Sequence, residues 1–207
     1  MNNSVTYEAY EKLGRVRLSD HFFMRDFLYS SIADCYGISN YPDDPKLAIE
    51  AGTQLCQNLL EPLMKKFGHL TIRSAYRSPK VNELGNQKGH DCARNDKNYA
   101  AHIWDYKDKE NNIGATACIQ VHWFAEQYEK GADWQSLAWW IHDHLPYNSA
   151  FFFRNRAALN LNWRENPKRW IRSYIGSNGK YLTKLGMDNW DGDHSSYYNW
   201  IDEELSK

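Results

Sequence analysis

The strongest constraint on the fold of this chain lies between residues 44 and 68. Asp44 can cap a helix, Pro45 suits a first helical turn, and Leu55, Leu59, Leu63 and Phe67 recur every four residues. Such a stripe predicts one long amphipathic helix with a wall to bury. Pro62 inside the pattern should kink it, and Gly68 should end it. The surface it packs on must come from elsewhere, because Leu70–Ser74 is the first segment that reads as a strand.

The rest of the chain supplies that surface late. Phe23, Phe27 and Leu28 suggest a short helix near the start, and 81–98 reads as a long polar surface loop. Helices are expected over 116–129 and 133–144, the second capped by Asp133 and closed before Pro146. Strands follow at 150–153, 157–163, 170–175 and 180–182, with a turn at 176–179. Helices first and an antiparallel sheet later describe an α+β fold. With 207 residues, no internal repeat and no linker-like stretch, one domain spanning 1–207 is expected. Aromatics make up 15% of the chain, including nine Trp and fourteen Tyr, which fills a core with few residues.

Charge narrows the function classes. With 25 basic and 26 acidic side chains, the chain has no global field for nucleic acid or an anionic membrane, and neither partner is expected. No apolar run approaches the roughly 18 residues of a membrane span, and no signal peptide is visible, so a cytoplasmic location is expected. Four scattered cysteines without a C-x-x-C pair read as reduced thiols. The last third is polarised: 154–184 hold eight Lys/Arg against one Glu, and 185–207 hold six Asp/Glu against one Lys. The acidic tail either packs along the basic sheet or partly masks an anion-binding face that includes Arg164, Lys168, Arg169 and Arg172.

Eight histidines make a metal site the first chemistry to test. His102 and Asp105 are three residues apart, close enough to share a metal or a hydrogen bond. His142 and His144 end a helix, where they could ligate a metal or simply cap carbonyls.

Several segments, in order, carry a family resemblance. They are Leu18-Ser19-Asp20-His21-Phe22, Gly37-Ile38-Ser39-Asn40-Tyr41-Pro42, Leu60-Glu61-Pro62-Leu63, and Ser74-Ala75-Tyr76-Arg77-Ser78-Pro79 with Asn82. Together they resemble the zinc D-Ala-D-Ala carboxypeptidase family, which shares its fold with the hedgehog signalling domain. The resemblance implies helices on an antiparallel sheet, with a cleft over the sheet. That family binds zinc through a His, an Asp and a later His, with a Glu as general base. On this sequence those positions fall on Asn98, Asp105, Asn160 and Phe153, so one ligand of three is kept and the base is absent. Arg77 falls on the arginine that faces the substrate.

Two functions follow from the resemblance. One is a divergent peptidase or amidase with a rebuilt site, in which His102 with His142 or His144 joins Asp105 around a divalent metal such as zinc. The other is a non-catalytic module that binds a small peptide-like or anionic ligand through Arg77, Asn98, Asn160 and Arg164. A conventional cell-wall D,D-peptidase or phage lysin is a third reading. In either of the first two, Arg77, Asn98, His102, Asp105 and Asn160 should converge on one cleft.

Overall fold

In the computed structural model, which describes residues 5–176 and 179–207, the first third is helical. Helix α1 (Tyr7–Gly14) starts at Thr6, whose hydroxyl accepts from the Ala9 N–H. Helices α2 (Arg25–Leu28) and α3 (Ser31–Tyr36) follow, and Gly37 ends α3 in the left-handed conformation that its φ of 61° requires. Phe27, expected on a short helix, is buried in α2 against Trp104.

The long helix forms as its pattern predicts, and its kink has a specific form. Helix α4 (Pro45–Leu55) is capped by Asp44, which accepts from the Lys46 and Leu47 N–H groups at 3.1 Å each. One wide turn, Cys56–Leu60, then joins it to α5 (Glu61–Phe67), with Pro62 in the first turn of α5. Pro62 has no N–H to give and its ring crowds the carbonyl four residues back, so the ladder widens just ahead of it. Gly68 ends α5 at φ 79°.

The sheet has six strands among the described residues: β1 (Leu70–Ser74), β2 (Gly114–Val121), β3 (Ser149–Phe152), β4 (Leu159–Arg164), β5 (Trp170–Ser173) and β6 (Lys180–Thr183). They lie in the order β1-β2-β4-β3-β5-β6. The fold is α+β, as expected, but the sheet is mixed. β3 and β5 run parallel, and every other pair is antiparallel. Both edges of β4 are taken by β2 and β3, and β5 pairs with the other edge of β3, where it runs in the same direction.

One face of the sheet is the core. Ala115, Ala117, Ile119, Phe152, Leu159, Leu161 and Ile171 are sealed there, and α4 packs on β2 and β4. Cross-strand partners share a face, so the register defines a row on the opposite face. That row runs Ser74, Cys118, Asn160, Phe151, Arg172, Tyr181. None of the six is fully buried.

Two expectations fail here. Residues 81–98 are largely helical: α6 (Pro79–Gln87) starts at Ser78, whose hydroxyl accepts from the Val81 N–H, and α7 (Asn95–Asn98) follows. A polar helix with few buried positions resembles a loop in composition. The helix expected over 116–129 is strand to Val121 and only then α8 (His122–Glu129). Strand pairing with β1 and β4 on both sides overrides local helix preference there.

Helix α9 (Trp134–His144) is capped by Asp133 as expected. The start of the acidic tail touches the basic segment, where Asn189 donates to the Leu182 carbonyl and Trp190 to the Arg169 carbonyl. The tail then returns to α9, where His194 stacks on Trp139 with ring centroids 4.0 Å apart. Helix α10 (Trp200–Leu205) then buries Ile201, and Trp200 donates to Ser136 Oγ. Among the described residues, no helix is long and apolar enough to cross a membrane.

Candidate ligand cleft

The segments that carry the resemblance meet in pairs, and their contacts are structural. Ser19 donates to Glu61 Oε1 at 2.6 Å, and the His21 N–H donates to the same oxygen at 2.8 Å. Asn40 is buried, donates to the Leu28 and Tyr76 carbonyls, and accepts from the Ser78 N–H at 2.7 Å. These bonds fix the path of the chain as it leaves β1 and carry Arg77 over the open face of the sheet. The Arg77 N–H donates to the His102 carbonyl at 2.8 Å, which ties the two residues together.

A cavity of about 550 Å³ lies over that face, lined among others by Arg73, Arg77, His102, Cys118, Phe153 and Asn160. It continues into a second hollow of about 600 Å³ that shares Arg73, Ser74, Cys118 and Phe153 and reaches Arg154 and Tyr174. Asp91 is the one carboxylate among the described lining residues of the first cavity.

Three of the five expected residues reach this cleft: Arg77, His102 and Asn160. Arg77 has no acidic partner; its guanidinium donates to Asn82 Oδ1 and Cys92 Sγ. His102 is buried, with Nδ1 2.7 Å from the Ala75 carbonyl oxygen. Burial, and then the neighbouring Arg77 charge, push its pKa down to about 3. The ring is therefore neutral, with Nδ1–H donating to Ala75. Its Nε2 has no hydrogen-bond partner among the described residues.

The other two stand behind the cleft. Asn98 is buried and donates to Asn82 Oδ1 at 2.6 Å, so it supports the residue that holds Arg77. Asp105 turns toward the start of α4, where Oδ2 accepts from the Asp43 N–H at 2.7 Å and the Asp44 N–H at 3.4 Å. Its Oδ1 and the neighbouring Tyr76 hydroxyl are both buried without a well-formed hydrogen bond. Burial raises the Asp105 carboxyl above the usual carboxylate range.

These placements do not fit the zinc that the resemblance implies. Zinc wants imidazole, thiolate or carboxylate donors converging on one point. The Asn98 amide is spent on Asn82, the Asp105 carboxylate is turned to backbone N–H groups, and Asn160 offers only an amide. Among the described residues, no three His, Cys, Asp or Glu side chains gather at the cleft.

The remaining expected residues lie elsewhere. His142 and His144 do not line the cleft and cannot join His102 or Asp105 there. His144 stacks on Trp140, with Nδ1 2.8 Å from the Trp140 carbonyl oxygen, the helix-end capping role. Arg164 is tied to Asp108 at 3.1 Å and to the Ala100 carbonyl, so it is not a free anion-binding group. Arg73 and Cys118 were not singled out from the sequence. Arg73 was legible by alternation, since Leu70 and Ile72 point inward. Cys118 was hidden by the helix expected over its segment.

No family model, curated protein or solved structure matches this chain. The likeness to the D,D-peptidases thus rests on the motifs alone.

Proposed function

We propose that this chain is a non-catalytic binding module on a D,D-peptidase-like plan, holding a small peptide-like ligand with a free carboxylate over the open sheet face. The observation that carries this reading is that Arg73 and Arg77 both line the cleft and neither pairs with a carboxylate. Arg73 makes no hydrogen bond or ion pair among the described residues. Two unpaired guanidinium groups in a partly enclosed site favour an anion, and the arginine fork suits a carboxylate.

The other lining groups suit the remainder of such a ligand. His102 Nε2 is a neutral acceptor for an amide N–H, and Asn160 can both donate and accept. Phe153 and Tyr29 give apolar walls. The same groups are poor at hydrolysis. A general base works best with a pKa near the operating pH, and His102 at about 3 is far below it. Phe153 has no proton to move.

The test is calorimetric titration with N-acetyl-D-Ala-D-Ala and with its C-terminal amide, followed by chromatography for products with zinc added. Expected are saturable binding of the acid, weakened about tenfold or more by Arg77→Ala, weaker binding of the amide, and no cleavage. Binding that ignores the carboxylate would overturn the reading. Zinc-dependent cleavage lost in Asp105→Ala would restore the enzyme.

A further inference from the structure

We propose a second, independent site: His142, Asp143 and His194 form a divalent-metal site of zinc type that clamps the acidic tail to α9. Each of the three offers one ligand atom, and these atoms all lie within 4.8 Å of one another. His142 and Asp143 come from the last turn of α9, where the helix dipole favours a cation. His194 arrives on the tail, 51 residues beyond Asp143.

Each side chain is gripped from outside in the manner of metal ligands, whose far atoms bond a carbonyl, hydroxyl or carboxylate. His194 Nε2 is 3.0 Å from the Asn189 carbonyl oxygen, which leaves Nδ1 facing Asp143 Oδ1 at 2.8 Å. The stack on Trp139, tilted by 6°, fixes the ring plane. The Tyr198 hydroxyl donates to Asp143 Oδ2 at 2.9 Å, which leaves Oδ1 inward. His142 Nδ1 is 2.6 Å from the Tyr147 hydroxyl, so Nε2 is its inner atom; it donates to the Trp190 carbonyl oxygen at 2.8 Å, a bond that a metal on Nε2 would replace.

Both nitrogens of His194 face oxygen acceptors, yet a neutral imidazole has one N–H. With the N–H on Nε2 toward Asn189, a cation bound by both His194 Nδ1 and Asp143 Oδ1 takes the place that a second ring proton would otherwise fill. Charge agrees: a hollow of about 470 Å³ opens on His142 and Asp143 and is also lined by Asp191 and Asp193. Arg169 is the opposing charge; it donates to the His142 carbonyl and lies over the Trp190 ring. Two imidazoles and one carboxylate, with room for water or a carbonyl as fourth ligand, are a donor set that zinc accepts.

The experiment uses the full chain, stripped with a chelator, then titrated with Zn²⁺ by calorimetry and with Co²⁺ by visible absorption. Expected is one equivalent, a cobalt spectrum of low-coordinate type, and a higher melting temperature with metal. His194→Ala and Asp143→Asn should each weaken binding at least tenfold. His144→Ala, in the same hollow but engaged with Trp140, should not, and Asp105→Ala should not. If a variant fails to fold, the ring-nitrogen NMR signals of the wild-type protein decide: Zn²⁺ should move those of His142 and His194 and leave His102 unmoved. No saturable metal binding, or binding indifferent to His194→Ala, would overturn the proposal. Movement of His102 instead would place the metal in the cleft and count against the proposed binding module as well.

Discussion

His102 Nδ1 lies 2.7 Å from the carbonyl oxygen of Ala75, so the strand exit that carries Arg77 also fixes the imidazole beside it. The bond requires Nδ1–H, and burial with Arg77 nearby disfavours a second proton. A cleft with a neutral imidazole and two arginines that no carboxylate pairs is the result.

That neutrality has a pH signature. The His102 pKa falls from 6.5 to about 3 on folding. Between those values the unfolded chain binds the proton and the folded chain does not. The stability contribution is complete above pH 6.5 and is lost as pH falls toward 3, by up to about 1.4 kcal/mol per unit. His102→Gln removes the titrating group. Urea unfolding at pH 7, 5.5 and 4 should show the gap between wild type and variant shrinking with acid. A constant gap would mean that the ring is charged or exposed.

Packing under the cleft is tested at Gly52. A Cβ there would sit 2.8 Å from Trp104 Cζ3 and 3.2 Å from Leu18 Cδ1, and Trp104 is sealed. Gly52→Ala gains about 1 kcal/mol of helix propensity but overpacks the core at a cost of about 1–3 kcal/mol. A net loss of about 1 kcal/mol is expected in denaturant unfolding. Adding Trp104→Phe should recover part of it, because the two sites touch. An alanine variant as stable as wild type would show that Trp104 can move aside.

Much of the scaffold was readable because its signals are local. Asp44 and Pro45 start a helix by chemistry that needs no distant partner, and Asp133 does the same. The parallel β3–β5 pair was not readable, since it depends on which strand edges are already occupied. Of the residues that the motifs pick out, Arg77 and Asn160 line the cleft, whereas others serve the scaffold: Asn40 ties two segments, and Glu61 ties Ser19 to His21. Asp105 has the expected place in the chain and a different direction. Sequence position does not say where a carboxylate points, and here two backbone N–H groups claim it.

The two cleft arginines should separate binding from stability. Arg73 is exposed and makes no bond among the described residues, whereas Arg77 is half-buried and holds Asn82 and Cys92. Arg73→Ala should weaken ligand binding about tenfold and leave the melting temperature unchanged. Arg77→Ala should lower both. Raising salt should weaken wild-type binding more than that of Arg73→Ala, since one charge contact is already gone. A melting temperature that falls with Arg73→Ala would mean that the residue belongs to the scaffold.

Asp105 offers the sharpest contrast between a structural acceptor and a metal ligand. Its Oδ2 satisfies the Asp43 and Asp44 N–H groups, while Oδ1 and the Tyr76 hydroxyl are buried side by side without a well-formed hydrogen bond. Asparagine keeps an acceptor for the backbone and puts a donor where the orphaned oxygen was, facing Tyr76. Asp105→Asn should therefore be at least as stable as wild type at pH 7, and Asp105→Ala should lose about 1–3 kcal/mol by stranding the Asp43 N–H. The pH sign follows from the raised carboxyl pKa. The folded state holds the proton more tightly than the unfolded state, so wild type should gain on Asp105→Asn as pH falls through that range. Thermal melts of the three proteins at pH 7 and pH 4, with and without zinc, check each step. Were Asp105 held charged by a cation in the cleft, Asp105→Asn would lose stability instead, and only in the metal-loaded protein.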